Sequence, residues 1–141
     1  MDEIQFFYED TDFVLGQENN IRQWILHTIN AEKHELLNIN YIFCSDEYLH
    51  QVNVDYLDHD YYTDIITFDN SEEEGKIEAD LFISIDRVSD NANQQSITFI
   101  EELRRVMVHG VLHLVGYNDK TDEEKSLMRE KENAYLSLPQ F

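Results

Sequence analysis

The sequence predicts an α/β fold in which α and β elements form layers and a small mixed β-sheet packs against several helices. Segments that alternate apolar and polar residues are interspersed with segments in which apolar residues recur at helical spacing. The 141 residues, 42% of them hydrophobic, suffice for one domain with its own core. Neither an internal repeat nor a linker rich in proline or glycine interrupts the chain. Residues 1–141 are therefore predicted to form a single domain.

Four elements are predicted in the N-terminal part. The aromatic run EIQFFYED predicts a strand at 3–10. Apolar residues recur at helical spacing in the next segment, which predicts a helix over about 17–34. ELLNINYIFCS, at 35–45, alternates as a second strand should. Ser45, followed by two acidic residues, is predicted to cap a helix that ends near Tyr56.

A β-hairpin is predicted in the middle of the chain. The β-branched run TDIITFD, at 63–69, and the segment KIEADLFISI, at 76–85, have the composition of strands. The acidic segment SEEEG, at 71–75, separates them and is expected to form a turn that faces water. A short helix is predicted to follow at about 86–94.

Two further helices complete the predicted fold. Thr98 and Glu101 form a candidate capping box ahead of a long helix, which Gly116 is suited to end. Thr121 and Glu124 form a second candidate capping box ahead of a terminal helix. The range predicted for that helix is about 122–136, and its predicted inward residues are Leu127, Met128 and Tyr135.

Charge and cysteine content narrow the class of protein. The chain has 10 basic and 30 acidic residues, and its net charge of −20 repels nucleic acid at long range. Contact with RNA would need a local basic patch, a bound cation or a protein partner. The apolar runs are too short to span a membrane, the acidic N-terminus lacks the layout of a signal peptide, and Cys44 is the single cysteine. We therefore expect a cytoplasmic protein.

The segment HGVLHLVGYND, residues 109–119, predicts a metal site at the end of the long helix. His109 and His113 are four residues apart, so their rings lie on one helix face and can bind one ion. Gly116 can turn the chain back and bring Asp119 to the third ligand position. The alternative interpretation is two histidines in the core and an aspartate at the surface.

The donor set indicates which metal is expected. Two imidazoles, one carboxylate and a position open to water suit catalytic zinc, so one Zn²⁺ ion is the predicted cofactor. Manganese, nickel and iron(II) are the alternatives. Helical metallopeptidase motifs have a glutamate directly after the first histidine, whereas this chain has Gly110. The ligand spacing thus matches a metallopeptidase, but the glutamate that would activate water is absent.

The same segment resembles the YbeY-type endoribonucleases, also called rRNA maturation factors. HGVLHLVGYND fits their signature, His-Gly-x-Leu-His-Leu-x-Gly-Tyr-Asp-His, through Tyr117. Upstream, NVDYLDHDYYTDIITF resembles the family's Asn-x-x-Tyr-Arg and Thr-Asp-Val-Leu-Ser-Phe stretches, with matches that include Asn53, Thr63 and Asp64. The resemblance implies a single-domain α/β fold, a zinc site, and a role in ribosomal RNA processing and ribosome quality control in bacteria.

Four positions depart from the family pattern, and one of them is Asn118, where aspartate is common. Asp119 stands where the family usually has a third histidine, which is expected to shift the metal preference. Leu57 and His59 occupy positions where the family usually has arginine and lysine. The resemblance therefore leaves open how a chain with a net charge of −20 contacts RNA.

Arg105 is the candidate contact for an RNA phosphate, because it lies one helical turn before His109 on the same face. The alternative is an ordinary surface ion pair with Glu101. Asp64 and Asp80 lie in family-like segments, but both residues also suit strand ends or turns, so no catalytic base is assigned.

Together these observations predict a metal-dependent endoribonuclease, a hydrolase that cuts phosphodiester bonds in single-stranded RNA during ribosomal RNA processing and ribosome maturation. The expected partners are ribosomal RNA and ribosomal or ribosome-associated proteins, with no DNA and no membrane. The alternatives are a non-catalytic ribosome assembly factor with a structural metal and, less favoured because of Gly110, a metallopeptidase.

Overall fold

A computed structural model describes residues 3–138, which form four strands and five helices. Their order and bounds are β1 Ile4–Glu9, α1 Glu18–Ala31, β2 Glu35–Cys44, α2 Asp46–Leu57, β3 Ile65–Asp69, β4 Lys76–Ser84, α3 Ile85–Gln95, α4 Phe99–Leu114 and α5 Asp122–Leu136. The predicted α/β class is confirmed, and each predicted element is present with its ends shifted by a few residues. Among residues 3–138, no helix combines the length and the apolar content that crossing a membrane requires.

The four strands form one mixed sheet in the order β1-β2-β4-β3. β1, β2 and β4 run parallel, and β3 pairs antiparallel with β4, which confirms the predicted hairpin. In the β2–β4 register, Ile39 lies opposite Ala79 and Tyr41 opposite Leu81, all buried. Parallel strands need long connections, and here helices α1 and α2, together with the β3 hairpin, supply them. Hence β3 forms one edge of the sheet.

The larger core lies between one face of the sheet and helices α1, α3, α4 and α5. α4 runs through it, because Met107, Val108 and Val111 are fully buried. Trp24 of α1 ties this layer to α5, since its indole N–H donates to the carbonyl of Tyr135 at 2.9 Å. Helix α2 covers the opposite face, where a smaller apolar cluster surrounds Leu49. α4 is thus held against the sheet by packing along most of its length.

Side-chain caps define the helix ends that the sequence indicated. Ser45 caps α2, and Thr121 with Glu124 forms the complete capping box of α5. The box predicted at Thr98 is only half formed. The Thr98 hydroxyl accepts the Glu101 backbone N–H at 3.1 Å, but the Glu101 carboxylate accepts a hydrogen bond from that same hydroxyl instead of the Thr98 backbone.

One inward residue of α5 was predicted wrongly. Leu127 is 43% exposed, whereas its neighbour Met128 is buried. Met128, Glu132 and Tyr135 lie at positions i, i+4 and i+7 and form the buried stripe. Leu127 lies about 100° around the helix from Met128 and therefore faces away from the core.

Helix α4 packs closely against the sheet at Gly110. At the other three glycines, nothing lies within 4 Å of an added methyl group. A methyl group added at Gly110 would lie 2.4 Å from Cδ2 of Leu81 and 2.9 Å from Cδ1 of Ile65. Because both atoms are closer than van der Waals contact allows, a larger residue at Gly110 would force the side chains of Leu81 and Ile65 to move. The glycine directly after the first histidine therefore suits the close packing of the helix on the sheet.

We expect Gly110→Ala to lower the free energy of unfolding by about 1–2 kcal/mol. Overpacking costs typically 1–3 kcal/mol, and the better helix propensity of alanine returns up to about 1 kcal/mol of that loss. Urea denaturation would measure the change. Gly16→Ala is the matched control, because nothing lies within 4 Å of a methyl group added there. Equal stabilities of the two variants would contradict the close approach of α4 to the sheet.

Candidate metal centre

The structure brings His109, His113 and Asp119 together at the C-terminal end of α4. The two rings project from successive turns with their centroids 4.7 Å apart. Oδ2 of Asp119 lies 3.4 Å from Nε2 of each histidine. Ligands placed tetrahedrally at about 2.0–2.1 Å from Zn²⁺ are roughly 3.3–3.4 Å from one another. Both distances to Asp119 therefore suit a tetrahedral ion, and His109, His113 and Asp119 form the one candidate metal cluster among residues 3–138.

The turn after α4 explains how Asp119 reaches the histidines. Gly116 has a φ of 110°, in the left-handed region that favours glycine. The N–H of Tyr117 donates to the carbonyl of Leu112 at 3.0 Å, and the N–H of Gly116 donates to that of His113 at 3.1 Å. This pair of bonds is a Schellman motif, which reverses the chain at the helix end. The reversal returns the chain to the histidine face of α4.

Glu32, which follows α1, holds this turn against the rest of the molecule. Its carboxylate accepts hydrogen bonds from the hydroxyls of Tyr117, at 2.7 Å, and of Tyr135. Nζ of Lys131 lies 3.6 Å away. Burial alone would raise the pKa of Glu32, but the two tyrosine hydrogen bonds and the charge of Lys131 outweigh burial and lower it. The folded state therefore favours the ionised carboxylate.

We expect Glu32 to stabilise the protein at neutral pH and to lose this stabilising effect in acid. A carboxylate whose pKa is lowered by folding stabilises the native state above its unfolded pKa, which is about 4.3 for glutamate. That stability is lost as the pH falls through the lower, folded value. Glu32→Gln should therefore lower the free energy of unfolding by about 1–3 kcal/mol at pH 7. Below about pH 5, the free energy of unfolding of this variant should decline less steeply than that of the wild type. Urea denaturation from pH 3 to pH 7 measures both effects.

The control for this experiment is Glu72→Gln, which changes an exposed carboxylate in the loop between β3 and β4. It should keep the wild-type stability at pH 7 and the wild-type decline in acid. If Glu32→Gln behaves like the control, the Glu32 cluster does not anchor the turn.

Glu132 of α5 is a site residue that the sequence analysis missed. Its Oε2 lies 2.7 Å from Nδ1 of His109, and its Oε1 accepts a hydrogen bond from Arg105 at 2.9 Å. Glu132 is only 5% exposed. Burial alone would raise its pKa. The hydrogen bonds from His109 and Arg105, together with the charges of these two residues, outweigh burial and lower it. A charged residue on the buried stripe of α5 was the available signal, because such residues are almost never buried without a partner.

Because Glu132 engages Nδ1 of His109, it orients that ring. Nδ1 carries the proton when it donates to the carboxylate, which leaves the lone pair of Nε2 free on the side of Asp119. A carboxylate behind a histidine in this way typically fixes the tautomer of a ligand and raises its basicity. The ring is therefore presented in the form that binds a cation.

The alternative prediction for Arg105, an ion pair with Glu101, is wrong. Arg105 donates to Glu132 and, at 2.9 Å, to Oδ1 of Asn133. Glu101 instead accepts the Thr98 hydroxyl on the first turn of α4. The buried carboxylate of Glu132 is the stronger partner, because little water competes with it. Arg105 remains on the wall of the cavity beside His109.

Two adjoining cavities flank the donor atoms. One, of about 360 Å³, lies towards α5. The other, of about 510 Å³, lies towards the segment before β3. Both are lined by His109, Asp119 and Asp64, and burial raises the pKa of Asp64. Asp80 lies elsewhere, hydrogen-bonded to Asn40 at 3.0 Å. Of the two aspartates in the family-like segments, only Asp64 therefore lies beside the donor atoms.

Comparisons with known proteins show what this chain is similar to. A family model described as "Endoribonuclease YbeY" matches residues 5–139. A protein from Cytophaga hutchinsonii named "Endoribonuclease YbeY" is 62% identical over 138 residues, covering 98% of this chain and 96% of that protein. One of the same name from Christiangramia forsetii is 48% identical over 136 residues, covering 96% and 94%. The solution structure of TM1509 from Thermotoga maritima superposes with a TM-score of 0.66 at 25% identity, covering 93% and 86%.

Proposed function

This chain belongs to the YbeY endoribonuclease family, and we propose that it is a metal-dependent endoribonuclease that cuts single-stranded segments of ribosomal RNA during ribosome maturation and quality control. The observation that carries the proposal is the convergence of the donor atoms of His109, His113 and Asp119 beside two open cavities. The proposed partners are ribosomal RNA and ribosomal or ribosome-associated proteins.

The donor set supports zinc as the cofactor, with manganese, nickel and iron(II) as the alternatives. When bound, such an ion acts as a Lewis acid towards a phosphate oxygen and makes water more acidic. His109, His113 and Asp119 would hold it. Glu132 keeps the lone pair of His109 Nε2 directed to the site. The cavities on either side leave room for an RNA strand.

We also propose that Arg105 contacts a phosphate of the RNA. Its guanidinium is held by Glu132 and Asn133 on the wall of the cavity that His109 lines. A hydrogen bond to a charged group is worth about 1.5–3 kcal/mol. Arg105→Ala should therefore raise KM by about 10- to 100-fold at low salt. Arg105→Lys keeps the charge and should recover part of the loss, and unchanged cleavage by Arg105→Ala at low salt would contradict the contact.

Metal removal and restoration test the proposed activity directly. The protein is treated with a chelator, assayed on an RNA that has unpaired loops, and assayed again after zinc or manganese is added back. Cleavage that is lost and then restored supports the proposal. In parallel, casein is offered as a peptide substrate.

A non-catalytic assembly factor is the second candidate, because 30 acidic against 10 basic residues favour a basic protein partner over RNA. In that case the chelated and restored protein would fold and bind a ribosomal protein without cutting RNA. Casein cleavage would instead indicate a metallopeptidase.

A further inference from the structure

Exposed, stacked aromatic rings mark the segment between α2 and β3, residues 58–64, which we call the aromatic loop. Tyr61 is 53% exposed and stacks on His59, with ring centroids 5.3 Å apart and an interplanar angle of 21°. Tyr62 is 43% exposed and stacks on His50 at 4.3 Å and 22°. Both tyrosine rings are thus stacked on a histidine and still partly open to water.

The backbone of the aromatic loop is held by a buried side chain. Asn53, on the last turns of α2, is 1% exposed. Its side-chain Nδ2 donates to the backbone carbonyl of Tyr61 at 3.0 Å. Its backbone carbonyl accepts the backbone N–H of His59 at 3.1 Å. These two bonds hold the backbone at His59 and Tyr61 before any ligand arrives, so binding there orders little additional backbone.

The aromatic loop leads directly into the candidate metal centre. Thr63 and Asp64 line the cavity that His109, His113 and Asp119 also line. Two residues of fully extended chain span at most about 7 Å, so Tyr61 lies within that distance of Thr63 along the backbone. Tyr61 thus lies two residues before a residue that lines the cavity of the candidate metal centre.

The negative charge of the aromatic loop favours contacts with RNA bases over contacts with RNA phosphates. The aromatic loop carries Asp58 and Asp60 and no lysine or arginine. Arg87, whose guanidinium lies 5.5 Å from the Tyr62 ring centroid, already pairs with Asp46 at 2.8 Å. Stacking of a base on an aromatic ring needs no cation and is worth about 1–3 kcal/mol per base. Stacking can thus supply affinity that this acidic surface cannot supply through phosphates.

We propose that Tyr61, backed by His59, stacks on an unpaired base of the RNA next to the phosphate that is cut. This inference rests on the proposed function and deepens it, because it names a side chain that would bind a base beside the phosphate that is cut.

The test uses the full-length metal-loaded protein and a short single-stranded RNA that contains 2-aminopurine, whose fluorescence falls when it stacks. Stopped-flow mixing records binding before cleavage. Tyr61→Ala should abolish the quenching and weaken Kd by about 5- to 150-fold. Tyr61→Phe, which keeps the ring, should retain both. Phe7→Ala is the matched control and should not change binding, because Phe7 is 44% exposed on the opposite edge strand.

Salt dependence provides an independent measurement. Few phosphate contacts predict a shallow slope of log Kd against log salt, of about 1.5 or less, because single strands contribute roughly 0.7 for each neutralised phosphate. A slope of about 4 or more would assign the binding to phosphates and overturn the inference. Equal affinities of Tyr61→Ala and Tyr61→Phe would overturn it as well, as would a Tyr61→Ala defect confined to binding a ribosomal protein.

A cleavage assay on the same samples separates this inference from the proposed function. If wild type cuts the RNA and Tyr61→Ala binds it equally well, the stacking role is wrong and the activity stands. If wild type quenches 2-aminopurine through Tyr61 but never cuts, the stacking role stands and the proposed activity is wrong.

Discussion

Replacement of His113 by alanine is expected to lower the metal content of the purified protein from one ion per chain towards none and to reduce RNA cleavage by about a thousandfold. Losing one of the three proposed ligands leaves the pair His109 and Asp119, which is too few to hold an ion firmly. The Lewis acid contributes several kcal/mol to such hydrolysis, and each 1.36 kcal/mol is a factor of ten in rate. Elemental analysis and a cleavage time course measure the two quantities.

The control for the metal experiment is His34→Ala, which removes a partly buried histidine that bonds to the carbonyl of Glu32 and lies outside the metal cluster. Asp119→Ala should match His113→Ala, and Asp119→His should retain the ion, because imidazole also ligates zinc. If Asp119→Ala kept both its metal and its activity, Asp119 would be a surface residue and the three-ligand site would be wrong.

Loss of Glu132 is expected to have the second largest effect. Glu132→Ala leaves Arg105 without its buried partner and His109 without the carboxylate on Nδ1. Removing one member of a buried ion pair typically costs about 3–5 kcal/mol. Removing the carboxylate behind a metal-binding histidine typically costs 10- to 100-fold in metal affinity. We expect both losses in this variant.

Glu132→Gln separates the two effects, because glutamine keeps the shape and can still accept from Arg105. This variant should be more stable than Glu132→Ala but should still bind metal about tenfold more weakly than wild type. Competition with a colorimetric zinc chelator measures affinity, and urea denaturation measures stability. Glu130→Gln, on the exposed side of α5, should change neither quantity. Wild-type metal affinity in Glu132→Gln would exclude a role for Glu132 in orienting His109.

The site residues that were predicted from the sequence lie close together in the chain. His109, His113, Gly116 and Asp119 lie within one helix end and one turn, so helical periodicity and the conformational freedom of glycine suffice to predict that they meet. Other elements then hold this arrangement in place, since Glu32 binds the turn and Glu132 binds His109. The Thr121 cap needs only the first turn of α5.

What the sequence could not provide depends on contacts between distant elements. Glu132 reaches His109 only because α5 packs against α4. The position of β3 at the sheet edge, and hence of Asp64 beside the donor atoms, follows from strand order, which residue patterns do not encode. Leu127 was misplaced because a helix with few apolar residues indicates its buried face poorly when the buried stripe itself includes Glu132.

The packing at Gly110 also bears on where a water-activating group can come from. A side chain at this position would start against Leu81 and Ile65, on the side of the helix that rests on the sheet. Metallopeptidases with this ligand spacing use that same position for the group that activates water. In this chain, a residue that activates water beside the metal centre would have to come from another position.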